Sequence, residues 1–211
     1  MEIDFGGITA YQRYKLMASL IVPRPIALVT TLGANGAGNA APFSMFNMLG
    51  EDPPIVMLSI NRVHDGRLKD TAANILASGE FVVHLTDEAI ADQMHACGES
   101  LPPEVSELDR VGLTTLPSNS IAPPRIAEAP VAFECVLHEK LETESRYIFI
   151  GRVQWLHVRD GLVDTTTWRV RLQDYHPVGR FGASFYVTTR DRFAIAGKAD
   201  GESRSTPIDE I

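Results

Sequence analysis

The sequence predicts a mainly β protein, an antiparallel barrel with helices at its periphery. Predicted strands outnumber predicted helices, and the two do not alternate regularly, which disfavours a doubly wound parallel sheet. Two long strand candidates, 131–142 and 147–158, are separated only by a short polar turn, as in an antiparallel hairpin. Residues 33–38 (GANGAG) indicate another hairpin, because Asn-Gly favours the positive φ angles of tight turns.

Three helices are predicted from apolar periodicity and stop signals, at 11–20, 69–78 and 87–96. Pro23 and Pro25 follow the first helix and oppose its continuation, because proline disfavours helix in itself and in the residue before it. The second helix has Asp70 or Thr71 near its start and Gly79 as its stop.

The predicted strands share β-branched or apolar residues and turn formers at their ends, and lie at 26–32, 39–46, 55–60, 81–85, 131–142 and 147–158. Residues 98–130 are rich in proline and lack periodicity, so we expect a long loop with short elements. Residues 173–189 are aromatic-rich and predicted to be extended. The segment from Lys198 is polar and expected to be loosely ordered.

Length and charge limit the classes of protein that fit. The 211 residues match one domain, which we assign to 1–197, followed by a polar tail at 198–211. A net charge of −8 disfavours nucleic-acid binding. The sequence also has no polybasic patch of the kind that binds a membrane surface. The N-terminus lacks a signal-peptide pattern, and no apolar run approaches the ~18–20 residues that span a bilayer. We therefore expect a cytoplasmic protein.

The metal-binding and nucleotide-binding motifs of common enzyme classes are missing from the sequence. The two cysteines, Cys97 and Cys135, form no CxxC pair, and we expect buried free thiols. The six histidines are scattered without an HExxH motif, so no metal site is predicted. No GxGxxG follows a strand, which excludes the Rossmann fingerprint.

The start of the second predicted helix is the first candidate site. Arg67, Lys69, Asp70 and Thr71 (RLKDT) combine cations and a hydroxyl with a helix N-terminus, whose free N–H groups favour anions. This combination suits a monophosphate. A capped surface helix with solvated cations has the same pattern, so both interpretations remain open.

Residues 39–44 (NAAPFS) are the second candidate. Their small side chains let a flat ligand approach the backbone, and Asn39 and Ser44 add donors and acceptors. An ordinary edge strand containing proline is the alternative. Arg24 lies between two prolines that would fix its direction toward an anion or carboxylate, or it belongs to a structural turn.

The C-terminal aromatic segment is the third candidate. His176, Arg180 and Tyr186 lie in an extended stretch that can close a ligand pocket. A histidine in such a place is more often structural than catalytic. His64 lies close in sequence to the helix-start cluster and is a weaker candidate, and His138 is a further histidine that sequence does not rank.

The order of these motifs resembles the flavin reductase-like family. The resemblance covers about residues 10–187, and its segments are VPRPIALVTTLGANGAGNAAPFSMF (22–46), PPIVMLSIN (53–61), RLKDTAANILASGEFVVHL (67–85), FECVLHEKLE (133–142) and IFIGRVQWLHV (148–158). It implies the FMN-binding split barrel, a Greek-key antiparallel barrel with peripheral α-helices, usually as a homodimer with the flavin near the dimer interface.

Carried over by motif, the resemblance implies a flavin site but no catalytic side chain and no metal. Asp70 is expected to cap the helix, because its carboxylate would repel phosphate. From ring to phosphate, the implied cofactor-binding residues are Thr30 and Thr31 along the flavin, Ala41, Pro42, Phe43 and Ser44 at the isoalloxazine, Ser59 and Asn61 beside the ribityl chain, Arg67, Lys69 and Thr71 at the phosphate, and Arg180 and Tyr186 from the C-terminal segment. Asn39 is also an implied cofactor-binding residue.

The implied function is an NAD(P)H:flavin oxidoreductase. Its cofactor would be FMN, with FAD as the other flavin, and its electron donor NADH or NADPH. Electrons would pass to a second flavin, to oxygen or to a protein such as a monooxygenase. Three alternatives remain: a flavoredoxin-like electron carrier, a pyridoxamine-phosphate-oxidase-like enzyme on a related barrel, and an interaction domain without cofactor.

Overall fold

The computed structural model of the protein describes residues 1–63, 65–99 and 106–193. Our expectations for His64 and for the tail from Lys198 fall outside these residues. The α-helices of the described part are α1 Ala10–Leu20, α2 Asp70–Ser78, α3 Ala91–Ala96 and α4 Glu107–Val111. Its strands are β1 Arg24–Pro25, β2 Ala27–Leu32, β3 Gly38–Phe43, β4 Phe46–Glu51, β5 Pro54–Asn61, β6 Glu80–Leu85, β7 Thr115–Leu116, β8 Arg125–Ile126, β9 Val131–Glu142, β10 Arg146–Val158, β11 Val163–Asp164, β12 Arg169–Val170, β13 Gly179–Arg180 and β14 Tyr186–Val187.

Seven strands form the main sheet in the order β3-β2-β6-β9-β10-β5-β4, and each neighbouring pair is antiparallel. This confirms the predicted mainly β, antiparallel fold with peripheral helices. The β9–β10 hairpin lies where the sequence predicts it, and so does the β2–β3 hairpin. Gly36 has a φ of 79° in the β2–β3 turn, a positive angle that glycine adopts without strain.

The prediction of one extended segment over 39–46 was wrong. The chain bends at Ser44 and Met45, and β4 begins at Phe46. Phe43 and Phe46 are both buried in the same hydrophobic cluster. Residues three apart in a straight strand point to opposite faces. The strand therefore has to break for both rings to reach one core.

Other segments are more interrupted than the sequence predicts. The helix expected over 87–96 is a 3₁₀ turn followed by the short α3. Residues 98–130 contain α4 and the two-residue strands β7 and β8 in their described part, in agreement with a loop carrying short elements. The C-terminal stretch contains only a 3₁₀ turn and the short strands β13 and β14.

Strand β2 separates two hydrophobic clusters. Ala27 and Val29 face a core formed with α2 and strands β5, β6 and β10. Ile26 and Leu28 face a second cluster, formed beneath α3 and α4. Because β2 is covered on both faces, its sequence is a continuous run of apolar and β-branched residues rather than an alternating one.

Both cysteines are buried free thiols, as the sequence predicts. Burial raises the pKa of the Cys97 thiol to about 12 and raises that of Cys135 as well. Neither thiol is therefore an activated nucleophile at neutral pH. Within the described ranges, no helix is both long and apolar enough to cross a membrane.

Candidate flavin site

A cavity of about 690 Å³ opens between the barrel and the peripheral segments. Its walls come from α1, from β1, from the end of β3, from the start of α2, from α3 and from the β13–β14 segment. The volume lies within the roughly 300–1,000 Å³ of typical small-molecule pockets. Six residues of the predicted site line it: Pro42, Phe43, Ser44, Lys69, Arg180 and Tyr186.

Lys69 is the cation at the start of α2. It is the N-cap residue, and its Nζ lies 5.8 Å from the centre of the Phe43 ring. Burial lowers the pKa of Lys69, and the charge of Arg146 lowers it further. Among the described residues, no carboxylate lies within ion-pair distance of Lys69. A half-buried ammonium without an acidic partner is suited to binding an anion.

The capping role expected for Asp70 was wrong. No side chain caps α2, and Asp70 is exposed in the first turn. Lys69 occupies the N-cap position instead, and a lysine carries no acceptor for the free N–H groups of the helix. Those N–H groups and the lysine charge therefore lie at the same end of α2.

Four polar side chains form a partly buried hydrogen-bond network near the start of α2. Asn39 Nδ2 donates to Thr31 Oγ1 (3.1 Å) and to Thr71 Oγ1 (2.9 Å), and Asn74 Nδ2 donates to Thr31 Oγ1 (3.0 Å). Thr31 is fully buried and Thr71 nearly so. These side chains do not line the cavity. They join β2, β3 and α2, and so hold the start of α2 in position.

The remaining predicted residues also lie outside the cavity lining. Thr30 is fully buried, and its Oγ1 donates to the Pro124 carbonyl at 2.5 Å. Ala41 packs against the core, and Ser59 is buried in β5. Asn61 Nδ2 donates to the Arg62 carbonyl.

Arg67 was grouped with Lys69 in the sequence, but the two side chains have different surroundings. Arg67 Nε lies 2.6 Å from Asp65 Oδ2, and the Arg67 side chain is 79% exposed. The ion pair with Asp65 raises the pKa of Arg67. Of the cations in the RLKDT segment, Lys69 alone lines the cavity.

Arg24 joins α1 to the cavity wall. Its Nη1 donates to the carbonyls of Ala18 and Ile21 at the end of α1, and its Nε lies 3.5 Å from Ser44 Oγ. A cation is favoured at a helix C-terminus, where carbonyl groups lack partners. Arg24 thus has a structural role at the end of α1, and it also lines the cavity.

Sequence reasoning missed His95 as a cavity residue. His95 Nδ1 lies 2.8 Å from Tyr186 Oη, and the two rings meet edge to face. The Arg180 guanidinium lies over the Tyr186 ring, 4.7 Å from its centre. No local signal marks His95, because its partners come from the far end of the chain. His176 and His138 do not line the cavity.

Helix α1 is the other component that sequence did not place at the site. Five of its residues line the cavity, yet none of its residues is buried. Its apolar side chains are largely exposed: Tyr11 is 69% exposed and Leu20 is 76% exposed. A capping box at Thr9 and Gln12 fixes the start of the helix.

In the described part of the chain, no group of three or more His, Cys, Asp or Glu side chains is arranged to hold a metal ion. The charged groups that line the cavity are instead mostly cations: Lys15, Arg24, Lys69 and Arg180, with Glu99 as the carboxylate. Glu99 Oε2 lies 2.6 Å from Arg110 Nη2, so its charge is offset outside the cavity. The cavity is therefore suited to anionic ligands.

Comparisons with known proteins identify the family of the chain. The family model described as "Flavin reductase like domain" matches residues 17–176. YwrF of Bacillus subtilis is 38% identical over 194 residues, which cover 89% of this chain and 94% of YwrF.

Two solved structures share the fold along nearly the whole chain. The 2-nitrobenzoate 2-nitroreductase NbaA of Pseudomonas fluorescens has a TM-score of 0.87 at 37% identity, covering 97% of this chain and 100% of its own. Nitrilotriacetate monooxygenase component B from Bacillus cereus also has a TM-score of 0.87, at 33% identity, covering 92% and 98%. Together with the fold and the cavity, these matches define a split-barrel, flavin-related oxidoreductase. The chain belongs to the flavin reductase-like family.

Proposed function

We propose that the protein binds FMN and catalyses the reduction of flavin by NADH or NADPH. The observation that carries this proposal is Lys69, a half-buried cation without a described acidic partner, at a helix start and beside the Phe43 ring. A ligand that carries both a phosphate and an aromatic ring system matches this pair, because the phosphate can bind Lys69 and the ring system can pack against Phe43. FMN, when bound, supplies redox chemistry that no amino-acid side chain provides.

The chain's own residues hold and orient the cofactor. Lys69 and the first N–H groups of α2 bind the phosphate, which is charge-assisted at a helix N-terminus. Pro42 and Phe43 provide an apolar surface for the ring system, and Ser44 offers a hydroxyl at its edge. The hydrogen bond from Asn39 to Thr71 holds the start of α2 against β3. Thus these last two residues act by positioning Lys69.

The assembly that we propose is a homodimer. The exposed apolar side chains of α1 are of the kind that a second copy would cover, and α1 also lines the cavity. Light scattering measures the assembly, and a stable monomer would contradict it. A monooxygenase is one candidate electron acceptor, since one structural relative is a monooxygenase component.

Anaerobic spectroscopy tests the proposed reaction. The protein is expected to show a flavin absorbance spectrum, either as purified with FMN bound or after FMN is added. Addition of NADH or NADPH should bleach that spectrum within the turnover time of an enzyme. A spectrum that persists with both donors would favour a flavoredoxin-like electron carrier. A protein that binds no flavin would contradict the central proposal.

Lys69→Ala is expected to weaken FMN binding about 10- to 100-fold while leaving riboflavin binding within about twofold. The reason is that FMN carries the phosphate that the ammonium contacts, and a charge-assisted hydrogen bond is worth about 1.5–3 kcal/mol. Fluorescence titration of both flavins measures the difference. Lys140→Ala, an exposed lysine on β9, is the matched control. Equal losses for FMN and riboflavin would remove Lys69 from the phosphate site.

A further inference from the structure

Three of the cations that line the cavity, Lys69, Arg24 and Arg180, differ in their neighbours. Lys69 lies beside Phe43, and the nearby charge that lowers its pKa belongs to Arg146. Arg180 lies in β13, directly opposite Arg24 in the antiparallel pairing with β1. Burial lowers the pKa of Arg24, and the charge of Arg180 lowers it further. Lys69 and the two arginines thus have different neighbours, although all three line one cavity.

The pairing of Arg24 with Arg180 is unfavourable unless an anion offsets it. Like charges directly opposite each other on paired strands destabilise a sheet. Among the described residues, neither arginine has a carboxylate within ion-pair distance. The hydrogen bonds of Arg24 go to three backbone carbonyls and to Ser44.

Arg180 differs from Arg24 in the donors it leaves available. The hydrogen bond found for its guanidinium runs from Nη2 to the Ala183 carbonyl, at 2.6 Å. A guanidinium has five N–H donors in a planar fork, which matches two oxygens of a phosphate at once. Arg180 therefore offers donors to a ligand, while Arg24 adds positive charge from the neighbouring strand.

Tyr186 and His95 hold the Arg180 side chain in place. The guanidinium lies 4.7 Å from the centre of the Tyr186 ring, and the Tyr186 hydroxyl lies 2.8 Å from His95 Nδ1. The stack joins the C-terminal segment to α3. A guanidinium that is already oriented loses less conformational entropy when it binds an anion.

We propose that Arg180, positioned by Tyr186 and His95, binds a phosphate of the reduced nicotinamide nucleotide, whereas Lys69 binds the phosphate of the flavin. This assignment rests on the proposed function, because it supplies the second substrate of that reaction. It also differs from the sequence-based expectation, which assigned Arg180 and Tyr186 to the flavin. Two ligands with separate phosphates would then occupy one cavity, each with its own cation.

The test compares electron donors that carry phosphate, NADH and NADPH, with one that carries none. Arg180→Gln is expected to raise the KM for NADH and NADPH about 10- to 100-fold. The KM for dihydronicotinamide riboside, which has no phosphate, should stay within about twofold. The Kd for FMN should also stay within about twofold. Arg180→Lys should recover part of the loss, and Arg152→Gln, an exposed arginine on β10, is the matched control.

The two nucleotides distinguish the source of the phosphate. Equal losses for NADH and NADPH would assign Arg180 to the pyrophosphate, and a larger loss for NADPH would assign it to the 2′-phosphate. Either result supports the proposal. Weaker binding of FMN with unchanged riboflavin binding would overturn it, since Arg180 would then serve the flavin phosphate. An equal rise in KM for the riboside would overturn it too.

Failure of the proposed function has a separate signature. If the wild-type protein reduces no flavin with any donor, the proposed reaction is wrong. The phosphate proposal is then judged by calorimetric titration of the flavin-loaded protein with NADPH. Binding that Arg180→Gln weakens at least tenfold would support the phosphate site. Binding that is absent, or is unchanged in the variant, would overturn it.

Discussion

Glu134→Ala is expected to lower the free energy of unfolding by about 3–5 kcal/mol, because it removes one partner from a buried charged cluster. Glu134 is fully buried in β9. Its Oε1 accepts from the Asn119 N–H and from His157 Nε2, each at 2.6 Å. Its Oε2 accepts from the Ser120 N–H at 2.9 Å and from the Ser120 hydroxyl at 2.7 Å.

These hydrogen bonds explain why the buried carboxylate remains charged. Burial raises the pKa of Glu134, but the hydrogen bonds from Asn119, His157 and Ser120 outweigh it and lower the pKa to about 2. In the alanine variant the two backbone N–H groups and the imidazole lose their acceptor. Unpaired buried donors are costly, and the segment around 119–120 loses its attachment to the barrel.

Urea denaturation of the variant measures the effect. Glu134→Gln keeps the shape and one acceptor oxygen, so its loss should lie between those of wild type and alanine. Glu139→Ala, an exposed glutamate on the same strand, should change stability by less than about 0.5 kcal/mol. A Glu134→Ala protein within about 1 kcal/mol of wild type would contradict the structural role of this cluster.

The stability of the protein is expected to fall by about 3 kcal/mol between pH 6.5 and pH 4 through one histidine. His84 is fully buried, its Nδ1 donates to the Leu28 carbonyl, and its Nε2 accepts from the Ile126 N–H, both at 2.9 Å. Burial lowers the pKa of His84 from 6.5 to about 4, against the opposing effect of the Leu28 hydrogen bond.

The direction follows from proton binding in the two states. Well above pH 6.5 the imidazole is neutral in both states, so its contribution to stability is fully present. As the pH falls toward 4, the unfolded chain binds a proton and the folded protein does not, so the unfolded state is favoured. The neutral form is needed in the fold, because a protonated Nε2 cannot accept from Ile126.

His84→Gln provides the control for this titration. A glutamine amide can donate to Leu28 and accept from Ile126, and it does not titrate. Free energies of unfolding measured at several pH values should therefore show a shallower slope between pH 6.5 and pH 4 in the variant. Equal slopes in the two proteins would mean that His84 does not set this pH dependence.

The hydrogen bonds of Glu134 and His84 hold one segment of the chain against the barrel. Glu134 binds Asn119 and Ser120, and His84 binds Ile126. Between these points, the Pro124 carbonyl accepts from Thr30 in β2. Residues 119–126 thus pack against β2, the strand that pairs with β3.

Local sequence was sufficient for the fold class and for most strands of the seven-stranded main sheet, but not for the short strands outside it. Periodicity and turn formers depend on near neighbours in the chain, so the β9–β10 hairpin and α2 could be predicted directly. The break after Phe43 could not, because it depends on a core shared with Phe46. The order of motifs was also sufficient for the flavin reductase-like family, and for Lys69 as a cavity cation.

Long-range packing was needed to separate residues that face the cavity from residues that support it. Strand β2 is buried on both faces, so its sequence does not show that Thr30 and Thr31 are buried against protein partners and do not line the cavity. Arg67 and Lys69 are two residues apart, yet one pairs with Asp65 and the other lines the cavity. His95 and Tyr186 are 91 residues apart. Their contact, and the placement of Arg180 over the Tyr186 ring, exist only when the C-terminal segment has packed against α3, because no local pattern encodes a contact between distant segments.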